Sequence, residues 1–491
     1  MSKFVNAIQE ELTHTYTENG ALAKNTSGND CLDFFSTAGS LRDADDLRKY
    51  RLFLNAFRED PLTALKILFY VRDVRGGLGE RDTFRTILHY AAINHRFDIQ
   101  KNIPMIPEYG RFDDLYSLIG TPCESEMWEF MKRCLNADLV EMNIGGPISL
   151  MAKWIHNGNE SSKKSRSLGI LTANKLGYSV YEFKRIIRDL RKYIDIVETK
   201  MSANRWDEID YSKVPSRAGM IYRNAFQRHD GKRYNEFINK VSVGEAKINT
   251  STLYPYDIIE KFYKNTEDTN YDVLQTLWDN LPDYVDGSFN AIVIADTSGS
   301  MMFGNGRPFM SAVALAVYFA QRNTGAYHNL WMSFSSRPKY HKIKGDNLEE
   351  ILTNFDTSDW GMNTNLESAL SKILQTAIDY KVPSEEVPKS LIIISDMEID
   401  RCETSKDWSF YDYMKSEYAD YGYEIPNIVF WNVESRHDIF HADKSRKGVQ
   451  LVSGQSASTF KNLMGAVGKT PLEFMYSVIN SERYSMISLP E

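Results

Sequence analysis

The sequence predicts an α plus α/β protein, with an α-helical array over residues 1–285 followed by a doubly wound α/β domain over residues 286–491. Three observations lead there. From residue 44 to 264, apolar residues recur at three- and four-residue spacing, the mark of amphipathic helices. After "DNLPDYVDGSF" the pattern changes to continuous apolar runs alternating with helical stretches, which places the boundary near residues 280–288. Continuous rather than alternating runs predict parallel strands buried on both faces.

In the first half the helical stretches include "ADDLRKYRLFLNAFRED", "PLTALKILFYVRDV", "ERDTFRTILHYAAINH", "EMWEFMKRCLNADLVEMN" and "VYEFKRIIRDLRKYIDIVETKM". Short connections containing Pro or Gly separate them, as expected for antiparallel helix pairs stacked in a curved array. In the second half the strands are "NAIVIAD", "NLWMSFS", "SLIIISD", "NIVFWNV" and "GVQLVSG". Helices are predicted over about 308–323, 365–380 and 409–418, and from about 457 and 471.

The composition excludes several classes. No run of about 18 uncharged apolar residues is present, so no membrane span is expected, and the first twenty residues lack a signal-peptide pattern. The expected location is cytoplasmic. Cys31, Cys123, Cys134 and Cys402 have no paired spacing and read as packing residues. The formal net charge of -8 is uneven: residues 151–250 hold 20 Lys and Arg against 11 Asp and Glu, so this segment carries +9 and the remainder -17. Local positive potential attracts phosphate within a Debye length, roughly 8–10 Å in physiological salt.

The first buried strand ends in "DTSGS", where Asp296, Ser298 and Ser300 alternate along a tight loop. Thr364 precedes a helix in "WGMNTNLESAL", and Asp396 ends the strand "SLIIISD". Ligand sites in open α/β sheets lie at such strand ends. Two carboxylates and several hydroxyls make an all-oxygen shell suited to Mg²⁺, with Mn²⁺ also admitted. The plainer reading is that Asp296 and Ser298 cap the next helix. This pattern resembles the von Willebrand factor type A domain. The resemblance implies a metal-ion-dependent adhesion site in which Asp296, Ser298 and Ser300 are first-loop ligands, Thr364 the second-loop ligand and Asp396 the third-loop carboxylate. Met397 stands where many such domains have glycine, and the acidic Glu398 and Asp400 follow it.

In "VRDVRGGLGERDTF", Arg72, Arg75 and Arg81 surround a glycine break. It reads either as a tight turn held by an Arg to Glu ion pair or as an arginine turn that binds phosphate. With "IPEYGRFDDL", this stretch resembles the TROVE module of the Ro autoantigen family, in which a ring of HEAT-like helices is closed by a von Willebrand A domain. The match is closer to the Ro-like branch catalogued as domain-of-unknown-function family 2828, on "TENGALAKNTSGNDCLDFFSTAGSLR", "RDVRGGLGERDTF", "IPEYGRFDDL", "VPSRAGMIYRNAFQRHD", "VFWNV" and "LVSGQSASTFKNLM". The resemblance implies an RNA partner and a role in RNA quality control or ribonucleoprotein assembly.

The basic region offers Lys163, Lys164, Arg166, Lys184, Arg188 and Arg191, with Trp154, Tyr178, Tyr181 and Tyr193 nearby. Lys184, Arg188 and Arg191 recur at four and three residues and share a helical face, as do Tyr181 and Arg185. Such a face could follow a phosphate backbone while aromatic rings stack on unpaired bases, or it could be an ordinary solvated surface. Arg217 and Arg223 begin a second cluster with the same two readings. His437 and His441, four apart without a third ligand, read as a surface loop rather than zinc ligands. No nucleophile turn or P-loop is present, so the protein is expected not to be an enzyme. The expected function is Ro-like RNA binding. The alternative is a metal-dependent scaffold that captures a protein partner through the metal site.

Overall fold

The computed structural model describes the chain except residues 1–3, 6–7, 9–10, 265–269, 286, 288, 335–336, 357–363, 402–409 and 491. Cys402 and residues 360–363 of the predicted Thr364 loop therefore lie outside the described residues. The residues group into two compact units. One comprises Met1–Ile67, Gly76–Leu78 and Leu253–Glu482; the other comprises Leu68–Arg75, Gly79–Thr252 and Arg483–Glu491. Both are discontinuous in sequence, unlike the consecutive division at 285/286.

The first unit contains a short antiparallel hairpin, β1 (His14–Tyr16) and β2 (Leu22–Lys24), and a six-stranded sheet. The sheet strands are β3 (Ala291–Ala295), β4 (Leu330–Ser333), β5 (Tyr340–Lys342), β6 (Ser390–Ser395), β7 (Asn427–Asn432) and β8 (Val449–Ser453), in spatial order β5-β4-β3-β6-β7-β8. All neighbours are parallel except β4 and β5. Ile292, Ile294, Leu391, Ile393, Ile428 and Phe430 face one layer, packed with the helices Leu366–Asp379 and Phe410–Asp420. On the other face the helix Phe303–Arg322 joins Phe460, whose ring lies 5.1 Å from Phe319 and 4.7 Å from Trp431. Cover on both faces explains why the strands read as unbroken apolar runs.

Residues 14–60 belong to this unit because they bond to the carboxyl ends of the strands. The Gly39 N–H donates to Ser453 Oγ at 2.9 Å, and a Cβ on Gly39 would meet the Gly454 backbone at 2.8 Å, so no side chain fits there. Arg48 donates to Asp438 and to Ser435 O, and the Phe35 ring meets Phe474 edge-on at 6.1 Å. The helices Pro255–Tyr263 and Tyr271–Asp279 pack here too: Trp278 Nε1 donates to Gln321 at 2.8 Å. Helical periodicity reports a local conformation, not the body against which a helix packs.

The second unit is helical, with Arg81–Asn94, Glu124–Ile144, Lys163–Leu176, Val180–Tyr193 and the kinked Ser216–Ser242 as its longer members. Ser179 starts Val180–Tyr193 with a capping box to Glu182, and Phe183, Ile187 and Leu190 form its buried stripe. No helix among the described residues is long and apolar enough to cross a membrane.

Candidate functional site

The chain winds from β3 outward to β4, then returns to place β6 on the other side of β3. A crevice opens at such a reversal, at the carboxyl ends of the two strands. Asp296 follows β3 and Asp396 follows β6, and both carboxylates are buried. Asp296 Oδ1 accepts the Ser298 N–H at 2.9 Å, and Oδ2 accepts the Ser395 hydroxyl at 2.5 Å. The Ser298 and Ser300 hydroxyls lie 3.0 Å apart. Thr364 is fully buried; its hydroxyl donates to Glu398 O at 3.0 Å, and its N–H donates to Asp400 Oδ2 at 2.7 Å. Hydrogen bonds thus tie the Asp296 loop to the end of β6, and Thr364 to the loop that Asp396 begins.

Burial raises the Asp296 pKa well above the usual carboxylate range, and the charge of Asp396 adds to the rise. Two like charges removed from water favour a shared cation. The donor set of carboxylates and hydroxyls matches the chemistry of a hard divalent ion, and Asp296, Ser298, Ser300 and Asp396, together with Thr364, are the residues that would hold it. Such an ion would offset the charge of both carboxylates.

Three further charged side chains that motif reading missed, Arg436, Glu18 and Glu434, stand here with His437. Arg436, on the loop after β7, donates to Asp396 Oδ2 at 2.9 Å and pairs with Glu18 Oε2 at 2.8 Å. His437 Nε2 lies 2.8 Å from Glu18 Oε1. Burial pushes the Glu434 carboxyl up to about 7, with Asp43 adding to the effect. Arg436 and His437 follow a predicted strand end, which is a usable signal. Nothing in the sequence links Glu18 to this place. His441 is not on the surface, as its loop was expected to be: it is buried, and its Nε2 lies 2.9 Å from Met397 O.

In the helical unit several predicted phosphate ligands are committed to the protein itself. Arg72 is buried, and its Nε donates to Asp114 at 2.8 Å; Asp114 also receives Arg85 Nε at 2.6 Å and the Arg111 N–H at 2.8 Å. The arginine of "RDVRGGLGERD" thus meets the aspartates of "GRFDDL". Arg72 and Arg85 pair with Asp114, and Arg75 lies 3.8 Å from Glu108. Gly110 lies so close to Asp114 Oδ2 and Arg72 Nε that a Cβ would collide with them. Arg191 donates to Ala152 O at 2.8 Å and Ile155 O at 2.9 Å, and Arg223 is buried with Nη1 on Met220 O at 2.7 Å. None of these three presents an open guanidinium.

Lys163, Lys164, Arg166, Arg188 and Arg217 are exposed, and Lys184 is half-buried. Arg75 and Arg81 are exposed as well, beside Glu108 and Asp82 respectively. Tyr178 stacks on Phe183, a packing contact rather than an open platform. On Val180–Tyr193 an exposed stripe runs through Tyr181, Arg185, Arg188 and Lys192, spaced at four, three and four residues opposite the buried Phe183, Ile187 and Leu190, with Arg188 paired to Asp189 at 2.9 Å. The stripe unites Tyr181 and Arg185, expected to share a face, with Arg188 and Lys192, whereas Lys184 is half-buried and Arg191 is bonded to backbone carbonyls.

Residues 17–132 and 148–293, more than half of the chain, match the family described as Domain of unknown function (DUF2828). The chain belongs to that family. In this DUF2828 member, residues 290–482 also match the Domain of unknown function (DUF7788). "Uncharacterized protein L728" of Acanthamoeba polyphaga mimivirus is 29% identical over 506 residues, covering 95% of this chain and 87% of the relative. Among solved structures, the Deinococcus radiodurans RO (RSR) protein matches over 90% of this chain and 92% of its own, with 12% identity and a TM-score of 0.36.

Proposed function

We propose that this DUF2828 protein is a Ro-like RNA-binding protein whose helical unit engages structured or single-stranded RNA. The carrying observation is the stripe of Tyr181, Arg185, Arg188 and Lys192, which joins three cations to a ring that is 78% exposed. Guanidinium and ammonium groups track phosphates, and an exposed aromatic ring stacks on any unpaired base. The +9 segment and the TROVE-like motifs support the same reading.

The sheet unit reads as a von Willebrand A-type domain with Mg²⁺ at Asp296, Ser298, Ser300, Thr364 and Asp396. In support, β5 is an antiparallel edge strand, and the serine-rich loop follows the strand at the reversal. The metal is read as structural and non-catalytic. Capture of a partner's carboxylate would have to overcome the nearby acidic Glu18 and Glu398, which disfavour an acidic ligand.

Fluorescence anisotropy with a labelled single-stranded RNA, titrated at several salt concentrations, tests the reading. Binding that weakens with salt by about 0.7 log units per log unit and per phosphate contact is expected. The triple change Arg185→Glu, Arg188→Glu and Lys192→Glu should weaken binding at least about tenfold and flatten the slope by about 2. Equal affinity and slope in both proteins would remove the stripe, and absence of low-salt binding would remove the RNA function.

A further inference from the structure

The loop between β1 and β2 is fastened to the segment that follows β6. Thr17 Oγ1 donates to Ile399 O at 2.7 Å, Asn19 Nδ2 to Glu398 O at 2.6 Å, and the Glu18 N–H to Glu398 Oε2 at 2.6 Å. Gly20 and Asp400 form an isolated antiparallel bridge. These bonds place the Glu18 side chain against His437 from the loop after β7. One ligand atom from each of Glu18, Glu398 and His437 lies within 4.8 Å of the other two.

The side chain of Glu398 supplies the second observation. Its residue is 2% exposed, yet only one carboxylate oxygen, Oε2, receives a hydrogen bond among the described residues. Burial of this carboxylate carries a desolvation cost that a cation removes. Glu18 and His437 are about half exposed, so both can close by the fraction of an ångström to an ångström that ligation at roughly 2.0–2.2 Å requires.

We propose that Glu18, Glu398 and His437 form a second divalent cation site, suited to Zn²⁺, which fastens the β1–β2 loop to the carboxyl ends of β6 and β7. Mg²⁺ prefers an all-oxygen octahedral shell and belongs with the Asp296 donors. One imidazole nitrogen with two carboxylates suits a borderline first-row ion instead. The two sites divide the cations by donor type. Arg436 pairs with Glu18 through Oε2, which leaves Oε1 facing His437.

The test titrates Zn²⁺ into chelator-stripped full-length protein in competition with a chromophoric chelator, with excess Mg²⁺ present. One equivalent should bind to the wild type and to Asp296→Asn. His437→Gln and Glu18→Gln, both changed at solvent-accessible positions, should each weaken binding at least about tenfold. Hydrogen exchange of residues 14–24 should slow on Zn²⁺ addition in the wild type and not in His437→Gln. Unchanged Zn²⁺ affinity in both variants overturns the proposal, as does binding that disappears in Asp296→Asn but survives in His437→Gln.

Discussion

Arg436 donates from Nη2 to Oδ2 of Asp396 at 2.9 Å, so one of the two buried carboxylates at the β3–β6 crevice already faces a positive charge. This guanidinium and a divalent ion would serve the same carboxylate. Arg436→Gln should therefore lower the melting temperature in EDTA and increase the stabilisation that Mg²⁺ provides. Loss of a nearby unit charge should tighten Mg²⁺ binding about tenfold, or ~1.4 kcal/mol. Calorimetric titration with Mg²⁺ measures this, and equal or weaker affinity in the variant would show that Arg436 does not compete with the ion.

Arg72 and Asp114 form an ion pair with side chains 3% and 0% exposed. Asp114→Asn leaves the buried Arg72 guanidinium without its charged partner, which costs about 3–5 kcal/mol, whereas Arg72→Gln leaves Asp114 paired with Arg85 and should cost less. Arg72→Gln or Asp114→Asn should lower the thermal midpoint of the helical unit, followed by circular dichroism, while the folded protein keeps its RNA affinity. A variant with normal melting and weakened RNA binding would return Arg72 to the set of phosphate ligands.

Arg191 and Arg185 stand six residues apart on one helix and should fail differently. Arg191 bonds two backbone carbonyls, so Arg191→Gln should cost about 1–3 kcal/mol of stability and leave the salt slope of RNA binding unchanged. Arg185 is exposed, so Arg185→Gln should leave melting unchanged and reduce the slope by about 0.7. Denaturant unfolding and anisotropy, run on both variants, separate the two roles; matching phenotypes would contradict them.

These contrasts show what the sequence could reveal. Strands β3, β6, β7 and β8 were legible because burial on both faces demands unbroken apolar runs. The three-residue edge strand β5 and the β1–β2 hairpin carry no such run and were missed. Asp296 and Asp396 were visible as oxygen donors at strand ends. Glu18 was not, because its place depends on a contact spanning 380 residues. Arginine type alone does not distinguish a phosphate ligand from a guanidinium bonded within the fold, hence Arg72 and Arg223. The open face of Val180–Tyr193 was recoverable: lying opposite Phe183, Ile187 and Leu190 selects Tyr181, Arg185, Arg188 and Lys192 over Lys184 and Arg191.

His441 makes the sheet unit sensitive to acid. It is buried, its Nε2 lies 2.9 Å from Met397 O, and the Phe430 ring is 5.0 Å away. Burial lowers its pKa from 6.5 to about 4, so the folded protein resists a proton that the unfolded chain accepts. Stability from this residue is complete above about pH 6.5 and is lost as pH falls toward about 4, amounting to about 2 kcal/mol between pH 7 and 5. Asp33, raised to about 6, and Glu434, raised to about 7, have the opposite sign: their carboxyls favour the folded state at low pH. Both are present in wild type and in His441→Gln, which retains an amide donor for Met397 O but cannot titrate. Urea denaturation at pH 7 and 5 should show the wild type losing about 2 kcal/mol more than the variant. Parallel profiles would mean that His441 is protonated at little cost, and that the acid response of this unit comes from its carboxylates.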